Sequence, residues 1–170
     1  MASLVDELIN VLCEEEKLYI ALLDCAERKT QILIKADIKA LEELTAEEQE
    51  KSDSLLSFGN KQIRLLNDIK TVLGRKDEHL TVTMLVDSLG SQPKIQEKLR
   101  TAKDNLIDAA TKVQVKNRQN EILLKQAIEF AEFDLTLFKS MRQAPETANY
   151  NKNAYNTGTL LGNSGFDAKQ

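Results

Sequence analysis

The sequence predicts an all-α fold, an elongated antiparallel bundle of three long helices and one short helix with a flexible C-terminal tail. Apolar residues recur at alternating spacings of three and four over most of the first 141 positions, the pattern of helices that pack along one face. Only 6 Gly and 2 Pro interrupt the 170 residues, so long helices are expected. Aromatic residues make up 5% of the chain and Trp is absent, which favours a core of aliphatic side chains.

The first predicted helix runs from Ser3 to about Lys35. Its apolar stripe has the three-and-four spacing of a coiled-coil seam. Two charged residues, Glu15 and Lys29, interrupt that stripe. Further apolar side chains widen it, as expected of a helix that contacts two neighbours.

The second predicted helix begins after Asp37, which is a good N-cap residue, and ends at Gly74, since glycine tolerates the left-handed backbone that follows many helices. A single kinked helix through Lys35 is the alternative, and the sequence leaves both open. Residues 45–54 are almost wholly polar. We therefore expect loose packing in the middle of this helix.

Residues 80–89 are mostly apolar and predict a short helix that Gly90 ends. Such a helix would close the open end of the bundle. Val82 and Thr83 are also compatible with a strand, but a lone strand would have nothing to pair with.

The last helix gives the strongest pattern in the sequence. Ser91 is its predicted N-cap, Pro93 lies in the first turn, where a missing N–H costs little, and the heptad frame continues to Met141. The members of that frame that are not apolar are Lys116, Asn120 and Asp134. Asn120 is interpreted as a buried amide that sets the helix register, with a polar contact to a ligand helix as the alternative. About 50 helical residues span roughly 75 Å, and a helix of that length needs packing against a partner.

The composition changes after the last helix, because Pro145 ends it and few charges follow. We predict two parts: residues 1–142 form the helical bundle domain and residues 143–170 form a flexible tail rich in Asn, with two Tyr. This tail is too polar to bury a core of its own. Its scattered aromatic and Leu side chains nevertheless suit partner binding, and a purely solubilising tail is the alternative.

No residue pattern predicts chemistry. His79 is the single histidine, so a catalytic base or a di-iron Glu-x-x-His pair is not expected. Cys13 and Cys25 are separated by about 18 Å of predicted helix, beyond disulfide reach, and read as free thiols of a reducing compartment. We predict no catalytic residue, no metal site and no cofactor.

The net charge of -4 argues against a nucleic-acid partner, which would require a surplus of Lys and Arg. Neither a signal peptide nor an apolar run of about 20 residues is found, so no membrane span is expected. The sequence therefore predicts a soluble, cytoplasmic binding protein.

Two stretches of the chain resemble the FlgN family of flagellar export chaperones. The first covers residues 4–69 and includes the segment Asp-Ile-Lys-Ala-Leu-Glu-Glu-Leu at 37–44. The second, Asn-Arg-Gln-Asn-Glu-Ile-Leu-Leu at 117–124, is similar to the Asn-x-x-Asn-x-x-Leu-Leu pattern of the family's last long helix. The Tyr-containing segment 149–155 and Gly158 resemble the C-terminal segment of such proteins. The order of these motifs is more specific than any one of them.

This resemblance implies a chaperone that binds hook-filament junction proteins through their amphipathic terminal helices. Components of the export apparatus and a second copy of the chain are further candidate partners. The family's client contacts lie toward the C-terminus, which points to the end of the long helix and the tail. The candidate partner-binding residues are Phe130, Phe133, Leu137, Phe138, Tyr150, Tyr155, Leu160, Leu161 and Phe166.

Other functions remain open at this level. Ordinary core or dimer packing would equally explain the phenylalanines of the last helix. The whole chain would then be a structural coiled-coil scaffold that self-associates. A bundle that sequesters a transcriptional or export factor is a third possibility.

Overall fold

The structure, a computed structural model, describes residues 2–74 and 79–143 and forms four helices within them. Their bounds are α1 Ala2–Lys35, α2 Ile38–Val72, α3 Val82–Ser88 and α4 Pro93–Gln143. The prediction of an all-α chain with three long helices and one short one is confirmed. The chain divides into two units, residues 1–124 and 125–170, of which the structure describes residues 125–143 in the second.

A sharp corner separates α1 from α2, so the alternative of a single kinked helix is wrong. Ala36 adopts the left-handed conformation at φ 52°, which breaks the helix. The carboxylate of Asp37 then accepts a hydrogen bond from the backbone N–H of Ala40 at 3.0 Å, as an N-cap should. The two helices fold back on each other as an antiparallel hairpin, and an ion pair joins Glu7 near the start of α1 to Lys61 far along α2.

The end of α2 and the short α3 also follow the predicted pattern. Gly74 has φ 68°, the left-handed conformation for which glycine is suited. The hydroxyl of Thr81 accepts a hydrogen bond from the N–H of Met84 at 3.2 Å and caps α3. The lone-strand alternative for residues 82 and 83 is wrong.

Helix α4 begins at Pro93, with the carbonyl of Gln92 accepting from the N–H groups of Ile95 and Gln96. The predicted cap at Ser91 is therefore one residue too early. Within the first unit α4 runs parallel to α1, since Cys13 and Thr101 line one cleft and Asn120 bonds to Ala26.

One cluster of buried side chains joins all four elements at the end of the bundle where α1 starts and α2 stops. The exposed fraction of both Leu8 and Leu99 is 0%. Burying a leucine contributes about 2 kcal/mol, so this cluster is the main source of stability. Its members are Val5, Leu8, Val11, Leu12, Leu65, Ile69, Leu85, Val86, Leu89, Leu99 and Ala102.

The described part of the second unit is the last stretch of α4, residues 125–143. Every side chain that the structure describes there, from Lys125 to Arg142, is exposed. The guanidinium of Arg142 lies 5.8 Å from the ring centroid of Phe138.

Candidate partner-binding surfaces

The end of α4 presents large apolar side chains to solvent. Phe130, Phe133 and Phe138 are 67%, 63% and 65% exposed, and Leu137 is 48% exposed. Their spacing of three, four and one places them on one face of the helix, which Met141 extends. Contiguous exposed apolar patches of this kind mark interaction sites.

A single acidic residue lies within this aromatic face. Asp134 follows Phe130 by four positions and precedes Phe138 by four, so the three side chains share one side of the helix. The second unit thus offers an apolar face with one exposed carboxylate in it.

The first unit contains a groove that sequence reasoning missed. Two adjoining cavities of about 410 and 530 Å³ share Ser52 and lie over α1, between α2 and α4. The backbones of α1 and α2 approach within 8 Å at many positions, whereas α2 and α4 in the described chain have no such extended close approach. The groove is the space left between them.

Polar residues of all three long helices meet in this groove, and from the interrupted heptad pattern of α4 they include Asn120. On its floor are the two charged residues of α1 that break the apolar stripe, Glu15 and Lys29. Its α2 wall includes Thr45, Glu48 and Ser52 from the polar middle of that helix, and on either side of them Leu41, Leu55, Leu56, Gly59 and Gln62. Its α4 wall includes Leu106, Ala110, Val113, Asn117, Asn120 and Leu124. The predicted loose packing around residues 45–54 thus takes the form of an open cleft.

Glu15 is the residue of this groove whose environment is least favourable. Its side chain is 5% exposed, and its Oε2 has no hydrogen-bond partner among the described residues. A Cβ placed on Gly59 would lie 3.7 Å from Glu15 Oε1, an ordinary van der Waals contact, so Gly59 lies directly beside the carboxylate. Desolvation raises the pKa of Glu15 above its ordinary value of 4.5.

The other end of the groove is lined by Lys29, Glu48 and the exposed Glu121. Lys29 forms an ion pair with Glu48, and both side chains are largely buried. Nearby, Glu47 accepts hydrogen bonds from Arg28 and Lys51, each at 2.8 Å, and these bonds lower the pKa of Glu47 to about 2. Two ion pairs, Arg28–Glu47 and Lys29–Glu48, therefore link α1 to α2 in this region.

Asn120 is buried and fully engaged, which favours the interpretation of a register-setting amide. Its Nδ2 donates to the carbonyl of Ala26 at 2.7 Å, and its Oδ1 accepts from the hydroxyl of Thr30 at 2.7 Å. Both partners belong to α1. The amide thus fixes the axial register between α1 and α4.

A metal site requires grouped ligands, and a reactive thiol requires a lowered pKa. Across residues 2–74 and 79–143, no three His, Cys, Asp or Glu side chains are grouped as a metal site would require. The thiol of Cys25 is buried, and desolvation followed by its bond to Glu47 raises its pKa, which makes it a poor nucleophile. In the same ranges, no helix has the length and apolar character needed to cross a bilayer.

Comparison with protein families identifies the chain. The family model described as FlgN protein matches residues 1–158. This protein belongs to the FlgN family. The match confirms the resemblance seen in the sequence. FlgN proteins are flagellar export chaperones rather than enzymes. No curated protein and no solved structure matches the chain.

The FlgN match covers some of the candidate partner-binding residues and ends before others. It covers the aromatic face of α4 and also Tyr150 and Tyr155. The candidates Leu160, Leu161 and Phe166 follow the matched range. All five candidates of the tail lie outside the residues that the structure describes, as does the predicted tail itself.

Proposed function

We propose that this FlgN-family protein is a cytoplasmic, non-enzymatic chaperone that binds hook-filament junction proteins before their export. It would hold the amphipathic terminal helices of these clients and keep them from assembling early. The observation that carries the proposal is the exposed aromatic face of α4 in a chain of this family. An amphipathic client helix can cover such a face by helix-to-helix packing.

We assign client binding to Phe130, Phe133, Leu137 and Phe138, together with the predicted tail contacts. Covering a phenylalanine that is about two-thirds exposed removes much of its apolar area from water. Each such side chain can contribute about 1–2 kcal/mol, roughly 4–8 kcal/mol for the four together. Micromolar affinity requires about 8 kcal/mol net of the cost of association, so the tail contacts must supply the remainder.

The test is titration calorimetry of the full chain with a hook-filament junction protein of the same organism. A complex with Kd of about 10 µM or tighter is expected. The double substitution of Phe130 and Phe133 by Asp should weaken it at least about tenfold, because charged side chains would be buried against the client. A matched control is Ile34→Asp, which changes an exposed apolar residue of α1 and should leave binding intact.

A chain that ends at Met141 tests the tail separately, and much weaker binding is expected. Equal affinity after this truncation would remove the tail from the site, and retained binding by the Phe130/Phe133 double variant would remove the aromatic face. Absence of any complex at tens of micromolar would refute the proposed client.

The second candidate is a self-associating coiled-coil scaffold, which the same exposed face favours. Asp134 argues against it. In a parallel, in-register pair of α4 helices, the two Asp134 carboxylates would face each other in an apolar seam, and burying like charges is unfavourable. Sedimentation equilibrium should therefore show a monomer at about 10 µM, whereas a stable dimer that dissociates on Phe130→Asp would favour the scaffold.

A further inference from the structure

The groove between α2 and α4 resembles a four-helix bundle from which one helix is missing. It lies in the first unit, apart from the residues assigned above to client binding. Its α4 wall runs from Leu106 to Leu124, and these 19 residues of helix span about 27 Å from first to last. That length accommodates about five turns of an added helix.

The α2 wall is built to leave this space open. Thr45, Ser52 and Gly59 are spaced seven residues apart, so they occupy the same heptad position. A closed bundle would place large aliphatic side chains there to fill the gap between helices. Three small residues at one repeating position leave a channel along α2.

Glu15 provides an independent indication that the channel takes a ligand. The unpartnered Oε2 belongs to a side chain that lines the channel and is 95% buried by the surrounding helices. No Lys, Arg or His is among the residues that line this half of the channel, and Tyr19 is the other titratable group there. A buried carboxylate without a cation or donor is costly, so a ligand that supplies one is favoured.

Apolar side chains around Glu15 define what else the ligand must carry. Leu56 and Ile107 are 67% and 56% exposed at opposite sides of the channel, on α2 and α4. A helix seated between them would cover both. The other end of the channel differs, because its lining includes the Lys29–Glu48 ion pair and the exposed Glu121.

We propose that this channel binds a second amphipathic helix of the client, about five turns long, with a Lys or Arg of its buried face placed against Glu15. The proposal rests on the chaperone function proposed above and adds a second client site to it. The client is then held at two places, by the aromatic face of α4 and by the channel over α1.

The first test blocks the channel in the full chain. Ala110→Trp puts an indole into it, and Ala46→Trp puts the same side chain on an exposed part of α2 that does not line it. With a hook-filament junction protein as the probe, calorimetry should show binding at least about tenfold weaker for Ala110→Trp and unchanged for Ala46→Trp. Equal affinity for the two variants would overturn the channel proposal.

A second measurement does not depend on how the tryptophan is tolerated. A cysteine introduced as Ser52→Cys lies in the channel, and one introduced as Ser57→Cys lies on α2 outside it. The client should slow thiol modification at position 52 about tenfold and leave position 57 unaffected, in chains whose Cys13 and Cys25 are replaced by Ser. No protection at position 52, with the client bound, overturns the proposal.

The variant Glu15→Gln tests whether a Lys or Arg of the client pairs with Glu15. This variant should bind the client about tenfold more weakly although the free protein becomes more stable, a combination that general damage would not produce. Unchanged affinity of this variant for the client would show that no Lys or Arg of the client pairs with Glu15.

The remaining outcomes separate this proposal from the proposed function. In one outcome, position 52 is already protected in the free full-length chain and loses this protection in a chain that ends at Gln143. The occupant of the channel would then be the protein's own C-terminal segment, and the proposal of a client helix would be overturned. A second outcome is that both channel tests fail, while the Phe130 and Phe133 substitutions abolish client binding. That result would keep the chaperone function and reject the channel as a client site. Failure of the wild type to bind any hook-filament junction protein would reject both.

Discussion

At the scale of single residues, Glu15 of α1 lies beside Gly59 of α2. A Cβ on the glycine would be in ordinary contact with the carboxylate, at 3.7 Å from its Oε1. This arrangement buries a charge that has no cation beside it. The consequence is a site that lowers the stability of the free protein and that a basic partner would relieve.

The stability of the protein should therefore depend on pH through Glu15. Its pKa is raised in the folded state, so the folded state binds a proton more readily than the unfolded state does. The penalty is absent below the ordinary value of 4.5 and develops as pH rises through the folded pKa. Glu15→Gln should stabilise the protein by about 1 kcal/mol or more at pH 7, and this gain should vanish near pH 4.

Urea unfolding of both proteins between pH 4 and 8 measures this gain. Glu27→Gln is the matched control, because Glu27 is an exposed residue of the same helix. A gain from Glu15→Gln that does not change with pH would show that the charge of Glu15 is not its source.

At the scale of helices, the sequence predicted the elements well and their mutual arrangement poorly. The apolar spacing and the residues Asp37, Gly74 and Pro93 placed the three long helices, and the apolar run 80–89 before Gly90 placed the short one. These signals act within a few residues of the chain. The breaks at Glu15 and Lys29 were visible too. In the structure, Glu15 and Lys29 line one channel with the polar middle of α2. This meeting depends on which helix faces oppose each other, and the spacing of residues along a single helix does not reveal that.

Asn120 links two helices, and its replacement tests what that link contributes. Asn120→Leu should raise the stability by about 1 kcal/mol, because an apolar side chain replaces a buried amide. Neither former partner is left unsatisfied: the hydroxyl of Thr30 already lies 3.1 Å from the carbonyl of Ala26, which remains an acceptor of α1.

The control for this change is Asn117→Leu, at an exposed position one turn earlier, where an effect within about 0.5 kcal/mol is expected. Thermal unfolding measures both variants. A loss of stability in Asn120→Leu would mean that the two hydrogen bonds to α1 outweigh the burial of a leucine.

At the scale of the whole molecule, the two units differ in how their side chains are covered. In the first unit the buried cluster extends over all four elements, and Asn120 is held to α1. In the described part of the second unit every side chain is exposed. The aromatic residues of α4 were found from the sequence, but their exposure was not, since the same heptad pattern would also fit a helix packed along its full length.

Hydrogen exchange of the full chain should reveal this difference. Amides of residues 99–120 lie on a helix that contributes buried side chains and should exchange slowly, by opening of the first unit. Amides of residues 126–142 depend on local helix stability, which is marginal for about 18 residues, and should exchange at least about a hundredfold faster. Binding of a hook-filament junction protein should protect residues 128–141, because the client covers that helix face. Slow exchange there in the free protein would mean that the aromatic face is already covered, and a client would have to displace what covers it.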